Sequence, residues 1–181
     1  MEKSELPKRK RNRLKNYNYN WTSSYFLTLC TLDRKCILSN VTKKVIKNNA
    51  DSSEKLVPVN AFVELTDIGK TVEKYILATN EYYENIDIEN YVIMPNHIHL
   101  LIYITDNESH SKGANAIVPK YVSTLKRFIN KEIEYNIFQR SYYDHIIRNE
   151  KDFNETWDYI DANPIVWNKD FLYTDVENGK V

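Results

Sequence analysis

Two histidines separated by one residue, His97 and His99, are the side chains in this sequence with the clearest chemical potential. They follow Pro95-Asn96 and open an aliphatic run that ends at Ile102. Successive side chains of a β-strand point to opposite faces, so both imidazoles are expected on the same face. Neutral imidazole is a ready ligand for Zn, Mn, Fe and Ni. The pair therefore favours a shared cation over two unrelated histidines on a half-exposed strand.

A closed structural zinc site would need two more Cys or His ligands. The other candidates are Cys30, Cys36, His110 and His145. None of them is at the spacing from another that is usual for two zinc ligands. The pattern is typical of an open, catalytic site, and Mg²⁺ or Mn²⁺ would suit a phosphodiester substrate. His145 is expected instead to bond to a backbone group or a carboxylate at a strand edge.

A helix near the end of the sequence carries a second reactive group, Tyr159. Asn149 is a candidate N-cap for a helix over about residues 150–162, which Pro164 should end. The expected buried stripe is formed by Phe153, Trp157 and Ile160. Tyr159 lies off that stripe and Asn163 follows four residues later, so phenol and amide share a face. The alternative interpretation is that Tyr159 lies at the margin of the core and that Asn163 caps the helix.

A tyrosine could act as a nucleophile on phosphorus only with help. Its unperturbed pKa of about 10 makes the phenolate cost about 4 kcal/mol at pH 7. A cation that stabilises the charge developing on the phosphate oxygens makes this cost tolerable. If His97 and His99 held that cation, with Asn163 as a third ligand, the product would be a phosphotyrosyl link, which stores the bond energy for later rejoining.

The remaining elements must bring these residues together. The apolar patterns predict the element order β, (β), α, β, β, α, β, α, typical of an α+β sheet with helices on one face. The predicted strands cover residues 25–32, 57–65, 86–94, 98–104 and 142–147, and the other helices cover residues 67–83 and 119–134. A tight turn at Pro95-Asn96 should join the two central strands, and Asp106–Asn115 should be a loop.

Composition is that of a single soluble domain. The 181 residues are 42% hydrophobic and 28% charged, and no apolar run approaches the roughly 20 residues that a membrane span needs. Two cysteines without a secretory signal favour the cytoplasm. The net charge is zero, but residues 1–15 hold seven basic and two acidic side chains. This basic arm fits a nucleic-acid partner or a solvated terminus.

Three blocks of the sequence closely resemble the single-tyrosine HUH transposases, of the insertion-sequence type and the REP-associated branch. Tyr91–Leu101 resembles the HUH signature, Phe138–Asn149 resembles the second block, and Tyr159–Pro164 resembles the terminal helix. The likeness spans residues 21–167, with the order and spacing of the blocks intact.

The resemblance implies a ferredoxin-like α+β fold and a metal-dependent enzyme that cleaves and rejoins single-stranded DNA. Tyr159 would be the nucleophile that forms a 5′-phosphotyrosine, and His97 and His99 would be metal ligands. Asn163 would match a polar ligand four residues after the tyrosine, and Mg²⁺ or Mn²⁺ is the usual cofactor. Tyr142 and Tyr143 lie in the second block, which does not carry the nucleophile in the family.

The resemblance also implies single-stranded or hairpin DNA as the partner, and the lack of a long apolar run predicts no membrane partner. The basic side chains that it would assign to phosphate are Lys8, Arg9, Lys10, Arg11, Arg13, Lys126, Arg127, Lys131, Arg140 and Arg148. Insertion-sequence members are homodimers with the tyrosine helix in trans, whereas REP-associated members can be monomers, and both remain open. The expected organisation is an arm (1–20), a catalytic domain (21–168) and a polar tail (169–181). The alternative functions are a hairpin-binding protein without cleavage and a small metallohydrolase that uses the histidine pair.

Overall fold

A computed structural model describes residues 23–46, 57–105 and 117–173. The basic arm with Lys8, Arg9, Lys10, Arg11 and Arg13, and the loop predicted at 106–115, lie outside these residues. The strands are β1 (Ser23–Cys30), β2 (Ser39–Ile46), β3 (Val57–Leu65), β4 (Ile86–Ile93), β5 (His97–Ile104) and β6 (Tyr143–Ile146). The helices are α1 (Asp67–Leu77), α2 (Thr79–Tyr82), α3 (Ile117–Ile133) and α4 (Glu150–Val166). Short 3₁₀ turns cover Leu32–Arg34 and Trp167–Lys169.

The central element is an antiparallel sheet in the order β4-β5-β1-β6, while β2 and β3 pair as a separate two-stranded sheet. Helices α1 and α3 pack on one face of the central sheet, and α4 covers the face that bears the histidines. This arrangement confirms the predicted α+β fold, with its antiparallel sheet and C-terminal helix. Within the described ranges, no helix has both the length and the apolar character needed to cross a membrane.

The apolar core lies between the sheet and the pair of helices α1 and α3. Ile98, Leu100 and Ile102 of β5 are fully buried there beside Leu27 and Leu29 of β1. Burying each such side chain contributes about 1.5–3 kcal/mol. Because alternate residues of β5 are committed to this core, the intervening His97 and His99 must point to the opposite face.

Several predicted boundaries differ from the structure. The helix predicted over 67–83 is broken at Ala78 into α1 and α2, where the Thr79 hydroxyl lies 3.1 Å from the buried hydroxyl of Tyr121. The sequence does not predict strand β2, because Lys43 and Lys44 interrupt the alternation of apolar and polar residues there. The turn at Pro95-Asn96 between β4 and β5 is confirmed.

Helix α4 departs from its prediction in both length and orientation. It runs through Pro164 to Val166, and its last turn is anchored by the buried Asn163 and the Trp167 that follows. Its buried residues are Thr156, Ile160 and Asn163 rather than the Phe153, Trp157 and Ile160 stripe. The physical reason is that α4 packs on the polar, histidine-bearing face of the sheet, so its polar side turns inward.

Gly69 in α1 is expected to tolerate no side chain. A Cβ at this position would overlap the carbonyl oxygen of Leu38, a backbone atom that cannot move aside like a side chain. We expect Gly69→Ala to lower the free energy of unfolding by about 2 kcal/mol, despite the better helix propensity of alanine. Urea unfolding measures this change. Lys70→Ala on the exposed side of the helix is the control, and an equal effect of both changes would contradict the packing argument.

Candidate active site

His97 and His99 begin β5 and lie side by side on the face that α4 covers. Their exposed fractions are 0% and 2%, and their ring centroids are 4.5 Å apart. Across the ladder with β1, His97 is paired with Cys30 and His99 with Thr28. The sheet therefore fixes the two imidazoles as close neighbours on one face, as the strand periodicity predicts.

One nitrogen of each imidazole is held by a neighbouring polar side chain. His97 Nδ1 lies 2.8 Å from Asn96 Oδ1, and His99 Nδ1 lies 2.9 Å from Thr28 Oγ1. Asn96 Oδ1 can only accept, so the Nδ1–H of a neutral His97 donates to it, and the Thr28 hydroxyl can accept in the same way. This pattern leaves the lone pair on Nε2 of both rings. Neither Nε2 atom has a hydrogen-bond partner among the residues that the structure describes.

Burial keeps both rings neutral at physiological pH. It lowers the pKa of His97 to about 4, against the opposing influence of Asp170 and the Asn163 side chain. It also lowers the pKa of His99 well below its usual value, and the proximity of His97 acts in the same direction. A neutral imidazole with a free Nε2 lone pair is the form that binds a cation.

Tyr159 lies beside this pair within the same chain. Its ring centroid is 5.3 Å from that of His99 and 5.9 Å from that of Phe26, which itself stacks on His99 at 4.9 Å. Tyr159 is 43% exposed, so it lies at the border between the buried site and solvent. Burial and then Asp170 raise the pKa of Tyr159, while Asn163 acts in the opposite direction. The phenol is therefore protonated at neutral pH.

Asn163, one turn after Tyr159, points into the site rather than capping the helix. It is fully buried, and its Nδ2 donates to Asp170 Oδ2 at 3.2 Å. Its Oδ1 is buried without a hydrogen-bond partner in the described part of the chain. The Asn163 side chain is close enough to His97 to act on the pKa of that imidazole, in the direction opposite to burial.

Asp170 is a member of this cluster that the sequence analysis did not identify. One ligand atom from each of His97, His99 and Asp170 lies within 4.8 Å of the others. Asp170 follows the 3₁₀ turn after α4, in the segment assigned to a polar tail, where its spacing to the other residues carries no signal. Only the chain reversal after Trp167 brings this carboxylate to the histidines.

This set of atoms fits a divalent cation. Two imidazole nitrogens, an amide oxygen and a carboxylate oxygen are suitable ligand types for Mn²⁺, and the oxygens suit Mg²⁺. Buried polar atoms in folded proteins normally have partners, and a bound ion is a common explanation for those that lack one. Three of the buried side-chain atoms without a hydrogen-bond partner in the described residues are His97 Nε2, His99 Nε2 and Asn163 Oδ1, which come from the residues expected to be ligands.

The four basic residues predicted on and near α3 line one open cavity of about 620 Å³, shared with Tyr142. They are Lys126, Arg127, Lys131 and Arg140. Lys126 already donates to the carbonyls of Gln139 and Ser141, at 2.8 and 3.3 Å, and burial lowers its pKa to about 8. Lys126 therefore supports the loop before β6, whereas Arg127, Lys131 and Arg140 are exposed.

His145 and Arg148 lie near the start of α4. His145 Nε2 is 3.0 Å from Asp152 Oδ1, so this imidazole is bonded to a carboxylate, as expected, and not to the cation cluster. The backbone N–H of Arg148 donates to Asp152 Oδ2 at 3.0 Å, and the Arg148 side chain is exposed. The predicted role of Arg148 at phosphate stays a prediction.

Residues 63–163 match the family model described as transposase IS200 like. An uncharacterized protein of Haemophilus influenzae is 28% identical over 182 residues, covering 90% of this chain and 92% of that protein. A second protein of that organism, provisionally named a REP-associated tyrosine transposase, is 32% identical over 81 residues, covering 40% of this chain and 46% of the relative. A similar solved structure is a REP-associated tyrosine transposase bound to a REP hairpin. It has a TM-score of 0.58 and 18% identity, and the match covers 92% of this chain and 78% of that one.

Proposed function

The chain belongs to the family of IS200-like transposases, which are DNA-cleaving enzymes, and we propose that it acts through Tyr159. In this proposal the protein cleaves and rejoins single-stranded DNA. The observation that carries the proposal is the position of Tyr159 at the edge of the buried histidine pair. Its ring centroid is 5.3 Å from that of His99. Both halves of the site come from one chain, which favours a tyrosine that acts in cis.

In the proposed reaction the Tyr159 oxygen attacks the phosphorus of a phosphodiester. The bond between tyrosine oxygen and phosphorus forms, the bond from phosphorus to the 3′ oxygen breaks, and the phenolic proton passes to solvent water. The 3′ oxygen takes up a proton and leaves as a 3′-hydroxyl, and a 5′-phosphotyrosine remains on the protein. Reversal by another 3′-hydroxyl rejoins the strand, so no external energy source is needed.

His97, His99 and Asn163 would hold Mg²⁺ or Mn²⁺. When bound, the cation supplies Lewis-acid stabilisation of the charge that develops on the phosphate oxygens. Thr28 and Asn96 hold the two imidazoles by their Nδ1 atoms, which leaves both Nε2 atoms for the cation. Burial and then Asp170 raise the pKa of the phenol, and Asn163 partly offsets this rise, which favours attack.

Hairpin-containing DNA is the proposed substrate. Support comes from the related fold of a transposase bound to a REP hairpin and from three exposed basic side chains, Arg127, Lys131 and Arg140, that line one cavity. Guanidinium and ammonium groups clustered in this way can bind successive phosphates. The basic arm and Arg148 would add further phosphate contacts, and a homodimer stays a prediction.

A covalent trapping assay tests the proposed function. Full-length protein is mixed with labelled single-stranded DNA that carries a hairpin and a candidate cleavage site, with Mn²⁺, with Mg²⁺ or with EDTA. We expect a labelled protein–DNA adduct that resists denaturation and forms only with a divalent cation. Tight binding without an adduct would favour the hairpin-binding alternative, and hydrolysis of DNA without an adduct would favour the metallohydrolase.

A further inference from the structure

Asp170 occupies a position that the proposed chemistry leaves without a role. Its carboxylate lies with His97 and His99 in a cluster whose ligand atoms are within 4.8 Å of one another. Two independent hydrogen bonds orient it: Leu172 N donates to Oδ1 at 2.6 Å, and Asn163 Nδ2 donates to Oδ2 at 3.2 Å. The unpartnered Nε2 atoms of His97 and His99 belong to side chains that are at least nine-tenths buried.

The charges in the site explain why a carboxylate belongs there. An imidazole that binds a cation through a nitrogen lone pair is neutral, so His97 and His99 bring no charge to the site, and neither does the Asn163 amide. A divalent cation held by these three groups alone would be a doubly charged ion in a poorly solvated place, which is costly. One carboxylate reduces the net charge to +1, and a phosphodiester neutralises the remainder. A carboxylate oxygen also supplies the hard ligand that Mg²⁺ and Mn²⁺ favour over imidazole.

The segment that carries Asp170 is attached to both sides of the site. Asn96, whose Oδ1 accepts from His97, donates through Nδ2 to the carbonyl of Leu172 at 2.8 Å. The Trp167 ring lies 5.8 Å from that of His97 and 5.1 Å from that of Tyr173. Residues 167–173 therefore run from the tyrosine helix back to the turn that precedes the histidines.

We propose that Asp170 is a ligand of the catalytic cation and that cation binding fastens residues 167–173 over the histidine pair. This inference rests on the proposed function, because it assumes that His97 and His99 hold a divalent cation. The proposal adds a carboxylate ligand from the segment that follows α4. Asn163, the ligand predicted from the sequence, lies on α4 itself. Binding of the cation and attachment of residues 167–173 over the histidine pair would then occur together.

Mn²⁺ binding by full-length protein without DNA tests the assignment. The free Mn²⁺ signal in electron paramagnetic resonance gives the Kd for wild type, Asp170→Asn, Asp170→Glu and the control Asp158→Asn, an exposed carboxylate on α4. We expect Asp170→Asn to raise the Kd at least about tenfold, Asp170→Glu to bind more tightly than Asp170→Asn, and Asp158→Asn to match wild type. Circular dichroism establishes that each variant is folded.

Trypsin provides a second readout, because Lys169 is exposed within the segment. Mn²⁺ should slow cleavage after Lys169 in wild type and in Asp158→Asn, but not in Asp170→Asn. Wild-type Mn²⁺ affinity in both Asp170 variants, with loss of binding in His97→Ala, would overturn the role of Asp170 and leave the proposed function standing. Wild-type affinity in His97→Ala as well would overturn the cation site itself.

Discussion

Replacing Tyr159 with Phe is expected to abolish the covalent protein–DNA adduct and to reduce strand cleavage at least about 10⁴-fold, the scale of loss when an enzyme's nucleophile is removed. The change deletes only the hydroxyl oxygen. The remaining ring can keep its contacts with His99 and Phe26, at centroid distances of 5.3 and 5.9 Å. With the side chain already 43% exposed, the free energy of unfolding should change by less than about 0.5 kcal/mol.

The trapping assay with hairpin DNA measures this loss, and Tyr143→Phe is the matched control. Tyr143 is also a half-exposed tyrosine, and it lies on β6 opposite Thr28, on the histidine-bearing face of the sheet. The Tyr143→Phe variant should still form the adduct. An electrophoretic mobility-shift assay should show that both variants bind the hairpin as wild type does. An adduct that persists in Tyr159→Phe and disappears in Tyr143→Phe would transfer the nucleophile to β6. DNA hydrolysis that Tyr159→Phe leaves unchanged would instead support the metallohydrolase.

The second large effect is expected from loss of either histidine of the pair. His97→Ala or His99→Ala removes one Nε2 lone pair from the cluster and should weaken Mn²⁺ binding at least about 100-fold. Cleavage should fall by about 10² to 10³-fold, because charge on the phosphate oxygens is no longer stabilised. Hairpin binding should be retained, since the exposed basic residues of the α3 cavity are part of a separate surface.

His145→Ala is the control for the histidine variants. Its imidazole is bonded to Asp152, 3.0 Å away, at the start of α4, so Mn²⁺ affinity should stay at the wild-type level. Isothermal titration with Mn²⁺ and single-turnover cleavage measure the two effects separately. Equal loss of Mn²⁺ affinity in all three variants would mean that the histidines act through the stability of the fold rather than as ligands.

Which reactive groups share a face of one strand or one helix could be predicted from the sequence. The two-residue period of a strand places His97 and His99 on one face, and the helical period places Tyr159 and Asn163 one turn apart. Both relations depend only on local backbone geometry, which a few neighbouring residues determine. The motifs that resemble HUH transposases then indicated the family, which the match over residues 63–163 shows.

What the sequence could not determine is how separate elements face one another. The rotation of α4 buries Thr156, Ile160 and Asn163, against the apolar stripe expected from Phe153 and Trp157, because the surface beneath the helix is the polar site. Asp170 reaches the histidines only through the chain reversal after α4, and the hydrogen bonds of Lys126 to the carbonyls of Gln139 and Ser141 likewise join residues that are distant in sequence. Contacts between residues distant in sequence depend on packing of the whole domain, which no local period encodes.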